Sequence, residues 1–322
     1  MSNRIDNTIQ FLVLFRNDNL RFGLVVEDSL TVDGNSPLAN AGPQTWDGVF
    51  VKGNLNLSDP AANVRLAGQP LLVQGNFTGG PNTTLLAGTT MYYRSLFNPG
   101  GGIYLGPSFN YVPPLVRPPV DLSYYLMHRT NELVGNSTFT LSTVAGVCRC
   151  TYGPGPTDFW AVAYDPDLGW PTLLVRDGNL FLSGICEARV NIVSYSSTPG
   201  PTKGNIFLMG DVGQLPDAGY VSSSSSSFAV LASHSIVFQG GPGMGARGYY
   251  MAPTIKVERN ALGNPTTVTV KGTVHALTAV TTSDPLNKLI FERDPDLYVN
   301  IPPNLPERPD LIKFHLSNKT PP

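Results

Sequence analysis

A cluster of basic and aromatic residues between positions 241 and 280 is the sequence feature best suited to bind another molecule. The cluster consists of Arg247, Tyr249, Tyr250, Lys256, Arg259 and Lys271. Four of these residues are cations, and the same stretch contains one acidic residue, Glu258, so its local charge is +3. Cations can follow a phosphate backbone, and aromatic rings can stack on bases. The cluster is therefore a candidate site for DNA or another anion. The alternative is a solvated sheet face with two core or edge tyrosines.

Three cysteines, Cys148, Cys150 and Cys186, could form a disulfide or hold a metal. A Cys-x-Cys pair does not have the spacing of a zinc or thioredoxin-like site, and the four histidines lie far apart in the sequence. We therefore expect no zinc site. We expect that Cys186 pairs with either Cys148 or Cys150 and leaves one thiol over; the alternative is three free thiols. A disulfide would indicate an oxidising compartment outside the cytoplasm.

Two Asp-Pro-Asp sequences, at 165–167 and 294–296, place carboxylates close together. Such pairs can bind Ca²⁺ or Mg²⁺, or act as acid and base. Asp-Pro also favours a simple turn, and this is the interpretation that we adopt. The glycine-rich stretch 240–248 lacks the Gly-Lys-Ser/Thr ending of a phosphate-binding loop. We assign no catalytic residue, metal ligand or cofactor, and we expect a protein that is not an enzyme.

The composition indicates which elements carry these residues. The chain contains 33 Gly and 29 Pro in 322 residues, and charged residues make up 14% of it, against roughly 25% in an average soluble protein. Helix interiors tolerate neither Gly nor Pro well, so short strands joined by turns are favoured. The net charge is −2, which excludes a global field that attracts nucleic acid.

Degenerate repeats support a β architecture. Residues 173–184 read LLVRDGNLFLSG and residues 203–212 read KGNIFLMGDV. With the period of two of a strand, Leu180 and Leu182 share one face, opposite Asn179, Phe181 and Ser183, and Ile206 and Leu208 repeat that position. The repeats predict a mainly β fold: an irregular β-solenoid, or stacked antiparallel or mixed sheets, with long loops and at most one or two short helices.

The pattern divides the chain into four regions. These are an N-terminal β repeat region over 1–98, a Pro-rich crossing segment with a short helix over 99–135, a main β core over 136–283, and a Pro-rich tail with a final strand over 284–322. The helix is predicted over about Asp121–Asn131, with Asp121 or Ser123 as its cap. The serine run at 222–227 is predicted to be a loop. No stretch has the length and apolarity of a membrane-spanning helix.

Five landmarks occur in a fixed order from about Phe11 to Phe314. They are FLVLFRND leading into GVFVKGNLNL and RLAGQPLLVQGNFT; FNYVPPLVRPPVDLS; LLVRDGNLFLSGICEARVNIVS with GNIFLMGDV; the strands FAVLASHSIVF, YYMAPTIKVE and VTVKGTVHAL; and ERDPDLYVNIPPNLP. In this order they resemble a family of large pilin-like proteins of Deinococcus–Thermus bacteria, which includes the competence-associated minor pilin of the type IV pilus.

The resemblance implies a β-solenoid, a location at the cell surface or in a pilus, and assembly with other pilins or surface proteins. It also implies an N-terminal pilin helix as the membrane contact, and no such helix occurs in these 322 residues. We therefore expect a non-enzymatic minor pilin, at the pilus or its tip, that binds extracellular DNA or surfaces. The alternative is a structural virion or surface-layer protein that self-assembles. A β-helix carbohydrate-active enzyme ranks last.

Overall fold

The computed structural model describes residues 9–40, 46–115, 117–153, 158–186, 188–213, 227–299, 301–306 and 308–315. Its N-terminal part contains a 3₁₀ helix at Asp18–Arg21 and the strands β1 (Ile9–Arg16), β2 (Leu24–Val26), β3 (Leu30–Thr31), β4 (Trp46–Val51), β5 (Leu55–Asn56), β6 (Val64–Val73), β7 (Phe77–Thr78), β8 (Thr83–Leu85), β9 (Met91–Tyr93), β10 (Phe97–Asn98), β11 (Ile103–Tyr104) and β12 (Ser108–Phe109).

The remaining part contains two short helices, α1 (Leu122–Met127) and α2 (Pro295–Val299). Its strands are β13 (Asn131–Val134), β14 (Ser137–Val144), β15 (Val147–Tyr152), β16 (Phe159–Ala161), β17 (Thr172–Arg176), β18 (Leu180–Ile185), β19 (Arg189–Tyr195), β20 (Asn205–Gly213), β21 (Ser227–Ala232), β22 (Ser235–Phe238), β23 (Pro242–Val257), β24 (Thr267–Thr282), β25 (Lys288–Glu292) and β26 (Arg308–His315).

These strands wind into a β-solenoid, because most of them pair in parallel with a strand about one turn away. In the N-terminal part, in-register partners lie 25, 22, 20 and 17 residues apart, at positions 24, 49, 71, 91 and 108. The turns therefore become smaller toward β12. The prediction of a mainly β fold with long loops and at most one or two short helices is confirmed: the structure has large sheets and two short helices.

Alternation of inward and outward side chains builds the core, as predicted for Leu180 and Leu182. Both side chains are fully buried, whereas Phe181 between them is half-buried. On the next turn, Leu180 lies opposite Ile206, and Phe181 stacks on Phe207 with ring centroids 5.1 Å apart. Inward columns of this kind remove apolar surface from water, at roughly 25 cal/mol per Å². The period of two in the sequence is thus the direct cause of the solenoid core.

The order of the turns in space differs from their order in the chain. The first turn, at β2, pairs in parallel with β4 on one edge and with β24 on the other. The chain therefore enters the solenoid near its middle, at β2, and winds toward one end, which it reaches at β12. It then crosses to the opposite end, where β13 forms the outermost turn. From there it winds back to the middle, where β24 pairs with β2. We term the contact of β2 and β4 with β24 and β25 the seam. Across the seam, the ring centroids of Trp46 and Phe291 lie 5.8 Å apart.

Residues 110–115 and 117–121, termed the crossing segment below, run from β12 back along the outside of the solenoid. One parallel ladder of eleven strands runs from β12 to β13, which is about 48 Å at ~4.8 Å per strand. The crossing segment, the 3₁₀ helix, α1 and the described residues 295–299 and 301–305 cover much of its outer face. For this reason β21 is buried at every position, as expected for a strand that is covered on both sides.

Some local predictions change. The predicted helix ends at Met127 instead of Asn131, because Asn131 begins β13 and pairs with β17. Its cap is as predicted, since the Asp121 carboxylate accepts the backbone N–H of Ser123 at 2.9 Å.

The region predicted as a tail begins inside the solenoid, since β25 pairs with β24. Its final strand, β26, pairs antiparallel with β1. Apart from Ser227, which begins β21, the serine run lies outside the described residues.

Candidate functional site

The predicted basic and aromatic cluster does not form one exposed surface. Tyr249 and Tyr250 are fully buried on opposite sides of β23, so neither ring can stack on a base. Arg247 is also buried: its Nε–H donates to Asp294 Oδ2 at 2.7 Å, and a second nitrogen lies 3.3 Å from Asp296 Oδ2. The prediction that these three residues contact DNA or an anion is therefore wrong, since burial and ion pairing remove them from any ligand.

The other three cations of the cluster lie on different parts of the solenoid. Lys256 is half-buried near the end of β23, Lys271 is half-buried in β24, and Arg259 is exposed in the following loop. Arg259 pairs with Asp284, which lies in the loop before β25. Because the two tyrosines are buried, neither of their rings lies beside these cations to stack on a base. The combination of charge and stacking that the sequence suggested is therefore not present at this site.

The cysteines form one disulfide, between Cys148 and Cys186, and leave Cys150 as a buried free thiol. This resolves the two pairings that the sequence left open. Cys148 and Cys150 both point into the core, because residues two apart on a strand share a face, so position along β15 selects the partner of Cys186. Burial raises the pKa of the Cys150 thiol to about 12, which suppresses its reactive thiolate form.

In both Asp-Pro-Asp sequences, the first aspartate accepts a hydrogen bond from the nearby backbone. The Asp165 carboxylate accepts the backbone N–H of Asp167 at 2.8 Å within a turn. The Asp294 carboxylate accepts the backbone N–H of Asp296 at 3.0 Å at the start of α2, while it also holds Arg247. Across the described part of the chain, no group of three or more His, Cys, Asp or Glu side chains is arranged to hold a metal ion.

Arg117 fastens the crossing segment to the solenoid, and sequence reasoning did not single it out. Its Nε–H donates to Asn19 Oδ1 at 2.6 Å, a second nitrogen pairs with Glu27, and the guanidinium lies 3.7 Å from the centroid of the Phe50 ring. A cation over an aromatic face gains about 0.5–2 kcal/mol, more when water is excluded. Arg117 therefore joins the crossing segment to the 3₁₀ helix and to the first two turns.

Glu27 also reaches across the seam to His275. His275 Nε2 lies 3.0 Å from Glu27 Oε1, and His275 Nδ1 lies 2.6 Å from the Tyr249 hydroxyl. An ionised carboxylate can only accept hydrogen bonds, so Nε2 donates to Glu27 and the Tyr249 hydroxyl donates to Nδ1. Tyr249, His275, Glu27 and Arg117 thus form one continuous polar network, which we term the seam network. Its hydrogen bonds run between β23, β24, the end of β2 and the crossing segment.

The charge states of the seam network follow from its geometry. Burial by itself would raise the pKa of Glu27, but the hydrogen bond from His275 and the charges of Arg117 and Lys52 lower it to about 2. Burial lowers the pKa of His275, and the hydrogen bond to Glu27 offsets part of this effect. Glu27 is therefore ionised and His275 is neutral at pH 7. Because Tyr249 and His275 are buried, the network serves to stabilise the seam.

A column of polar side chains continues from Glu27 along one corner of the solenoid. The last residues of β2, β4, β6 and β9 are in register, so the residues that follow them stack at intervals of ~4.8 Å. These residues are Glu27, Lys52, Gln74 and Arg94. The repeats VVEDS, FVKGN, LVQGN and YYRSL carry this column in the sequence, and aligning them would have found it.

A cleft of about 460 Å³ lies between this column and the crossing segment. We term it the basic cleft. Its described lining consists of Lys52, Gln74, Arg94, Tyr111, Val112, Pro113, Pro114, Leu115 and Arg117. Three of these residues are cations, and none of them is a carboxylate. Lys52 Nζ lies 3.7 Å from Glu27 Oε2 at the edge of the cleft, whereas Arg94 is exposed and forms no ion pair with a described residue. The cleft therefore presents uncompensated positive charge to solvent.

Comparison with known proteins adds no assignment to this geometry. No protein-family model, no curated protein and no solved structure matches the chain. Within the described ranges, neither α1 nor α2, nor any other helix, has the length and apolarity needed to cross a membrane. Functional inference therefore rests on the sequence resemblance, on the fold and on the basic cleft.

Proposed function

We propose that this protein is a non-enzymatic, cell-surface module of a type IV pilus, a minor pilin-like protein that displays a rigid β-solenoid and binds DNA or surfaces. The resemblance of the sequence to large pilin-like proteins implies such a role. In this proposal the protein lies outside the cytoplasm, and other pilins or surface proteins are its partners.

The observation that supports the proposal is where the two chain ends leave the solenoid. β1 and β26 pair antiparallel over eight residues each, and the Asn17 side-chain amide donates to Pro306 O at 3.1 Å where they meet the solenoid. A pilin helix joined to β1 would attach the solenoid near its middle, because β2 is the first turn. Both ends of the solenoid would then project from the filament and be free to make contacts.

Deletion of the gene tests this proposal. We expect reduced transformation, adhesion or piliation, and full recovery when the intact gene is supplied in trans. Electron microscopy with an antibody against the solenoid should label pili or the cell surface. Unchanged transformation, adhesion and piliation in the deletion strain would contradict the proposal. Labelling confined to the cytoplasm would contradict it as well.

A second candidate function is that of a structural protein that self-assembles, and the open end of the solenoid favours it. β12 pairs with β9, and no described strand pairs with its other edge. Ile103, Leu105 and Phe109 are exposed at this end, at 58%, 64% and 49%. An exposed strand edge with apolar side chains is a template for pairing with a second copy.

Sedimentation velocity of the purified chain separates the two functions. Self-assembly predicts oligomers that are lost in the Ile103→Lys/Leu105→Lys variant and retained in Leu262→Lys, which changes an 85% exposed leucine in a loop elsewhere. A wild-type protein that remains a monomer at high concentration would rule out the self-assembling function and leave the pilus proposal in place.

A further inference from the structure

The basic cleft combines two walls of different chemistry. Lys52, Gln74 and Arg94 form the first wall, and the two cations lie two turns apart, at about 10 Å. The second wall is the crossing segment, where Tyr111 is 58% exposed and is followed by Pro113 and Pro114. One wall can neutralise an anion, and the other can cover a flat apolar group.

The positive charge of the cleft has a fixed source. Glu27 is the one carboxylate in the adjoining polar column, and Arg117 and Lys52 share it. Arg117 is held in place by Asn19 and by the Phe50 ring, so its charge stays at the end of the cleft. The exposed ends of Arg94 and Lys52 can contact a phosphate, the arginine through two parallel N–H donors.

The second wall is rigid, since prolines fix φ near −65° and limit the motion of the backbone. An aromatic ring against such a wall can stack on a planar ring, a contact worth about 1–3 kcal/mol for a nucleobase. The volume of about 460 Å³ falls within the range of roughly 300–1,000 Å³ that is usual for small-molecule pockets.

We propose that the basic cleft binds a nucleotide, that is, a phosphate ester joined to a flat unsaturated ring. Lys52, Arg94 and Arg117 contact the phosphate, and Tyr111 stacks on the ring. The nucleotide is either free or part of a single strand, since both present the same chemistry to the cleft. This inference deepens the DNA-binding part of the proposed function and rests on it for the ligand class. Calorimetry tests the cleft on the purified chain and gene deletion tests the pilus role, so the two proposals can fail separately.

Isothermal titration calorimetry of the full chain tests the proposal with thymidine 5′-monophosphate, thymidine and inorganic phosphate as probes. We expect the monophosphate to bind at least tenfold more tightly than thymidine. The Lys52→Ala/Arg94→Ala variant should lose tenfold or more in affinity for the monophosphate. Tyr111→Ala should weaken the monophosphate several-fold and leave inorganic phosphate unchanged, because stacking concerns the ring alone.

The matched control is Lys256→Ala/Arg259→Ala, which removes the same charge from a different part of the solenoid and should retain wild-type affinity. Equal losses in the two double variants would overturn the proposal, as would a loss confined to the control or an absence of monophosphate binding to the wild-type chain. All four substituted cations are at least partly exposed, and thermal unfolding verifies that each variant is folded.

An oligothymidylate that binds more tightly than the monophosphate, with affinity that falls steeply with salt, would identify a single strand as the source. Equal affinity would identify the free nucleotide.

Discussion

Replacing Glu27 with Gln is expected to lower the free energy of unfolding by about 2–3 kcal/mol, less than for a fully buried ion pair, because the Glu27 side chain is 23% exposed. The substitution keeps the size of the side chain and removes its charge. Arg117, whose side chain is 13% exposed, would then lack a counterion, and His275 would lose the carboxylate that accepts its Nε2–H. Urea denaturation at pH 7 measures the loss.

Lys52→Ala is the matched control for Glu27, because it removes a second cation that contacts the same carboxylate. Lys52 is 58% exposed and 3.7 Å from Glu27, so its loss should cost less than about 1 kcal/mol. Equal effects of the two substitutions would contradict the seam network as a source of stability. Retention of the wild-type free energy of unfolding by Glu27→Gln would do so as well.

The same variant should change the response to acid. Folding lowers the pKa of Glu27 from 4.5 to about 2, so its contribution is present above pH 4.5 and is lost as the pH falls toward 2. At about 1.4 kcal/mol per pKa unit, this contribution is at most about 3 kcal/mol, and solvent screening of the partly exposed carboxylate reduces it. Folding also lowers the pKa of His275, so its contribution is lost as the pH falls below 6.5. The difference in stability between the wild type and Glu27→Gln should therefore shrink as the pH falls from 4.5.

Replacing Arg247 with Met is expected to cost about 3–5 kcal/mol, since it leaves Asp294 as a buried, unpaired carboxylate. The side chains of Arg247 and Asp294 are 6% and 4% exposed. The Arg247→Met/Asp294→Asn double variant should recover part of the loss, because it removes the stranded charge and keeps an acceptor for the N–H of Asp296. Chemical denaturation of the four proteins in this double-mutant cycle gives the coupling energy.

Arg259→Met provides the comparison for Arg247, since it breaks an ion pair with Asp284 at a site where the arginine is 43% exposed. This change should cost less than about 1 kcal/mol. An Arg247→Met protein as stable as Arg259→Met would show that the buried pair contributes little. A loss of nucleic-acid binding in an Arg247 variant would report on folding, because Arg247 is buried beside Asp294 and is not available to a ligand.

The sequence predicted the solenoid core well because the signal is local. Leu180 and Leu182 are two residues apart, so the backbone of a strand places both side chains on one side and Phe181 on the other. The same local logic predicted the Asp121 cap. The disulfide was predicted as one of two pairings, because spacing along a strand cannot tell Cys148 from Cys150 when both face the core.

The burial of Tyr249 and Tyr250 could not be predicted in the same way. Tyr250 belongs to the set of alternate residues of β23 that point into the core of the solenoid. Tyr249 points outward, and it is buried because segments far away in the sequence cover that face. Nor could the seam be predicted, since Glu27 and His275 are 248 residues apart and every turn has a similar apolar pattern. The basic cleft went unnoticed for a related reason, because its cations come from separate turns.

The seam has a mechanical consequence. In a solenoid whose chain ends lie at its tips, a force on one end peels the turns away singly, and each turn breaks the bonds on only one edge. Here a force on β1 passes through the 3₁₀ helix into β2, which is hydrogen-bonded to β4 on one edge and to β24 on the other. Extraction of β2 must shear both edges together and break the contact between Glu27 and His275. A load applied through β1 would therefore first separate β1 from β26 and would then meet resistance from both edges of β2 at once.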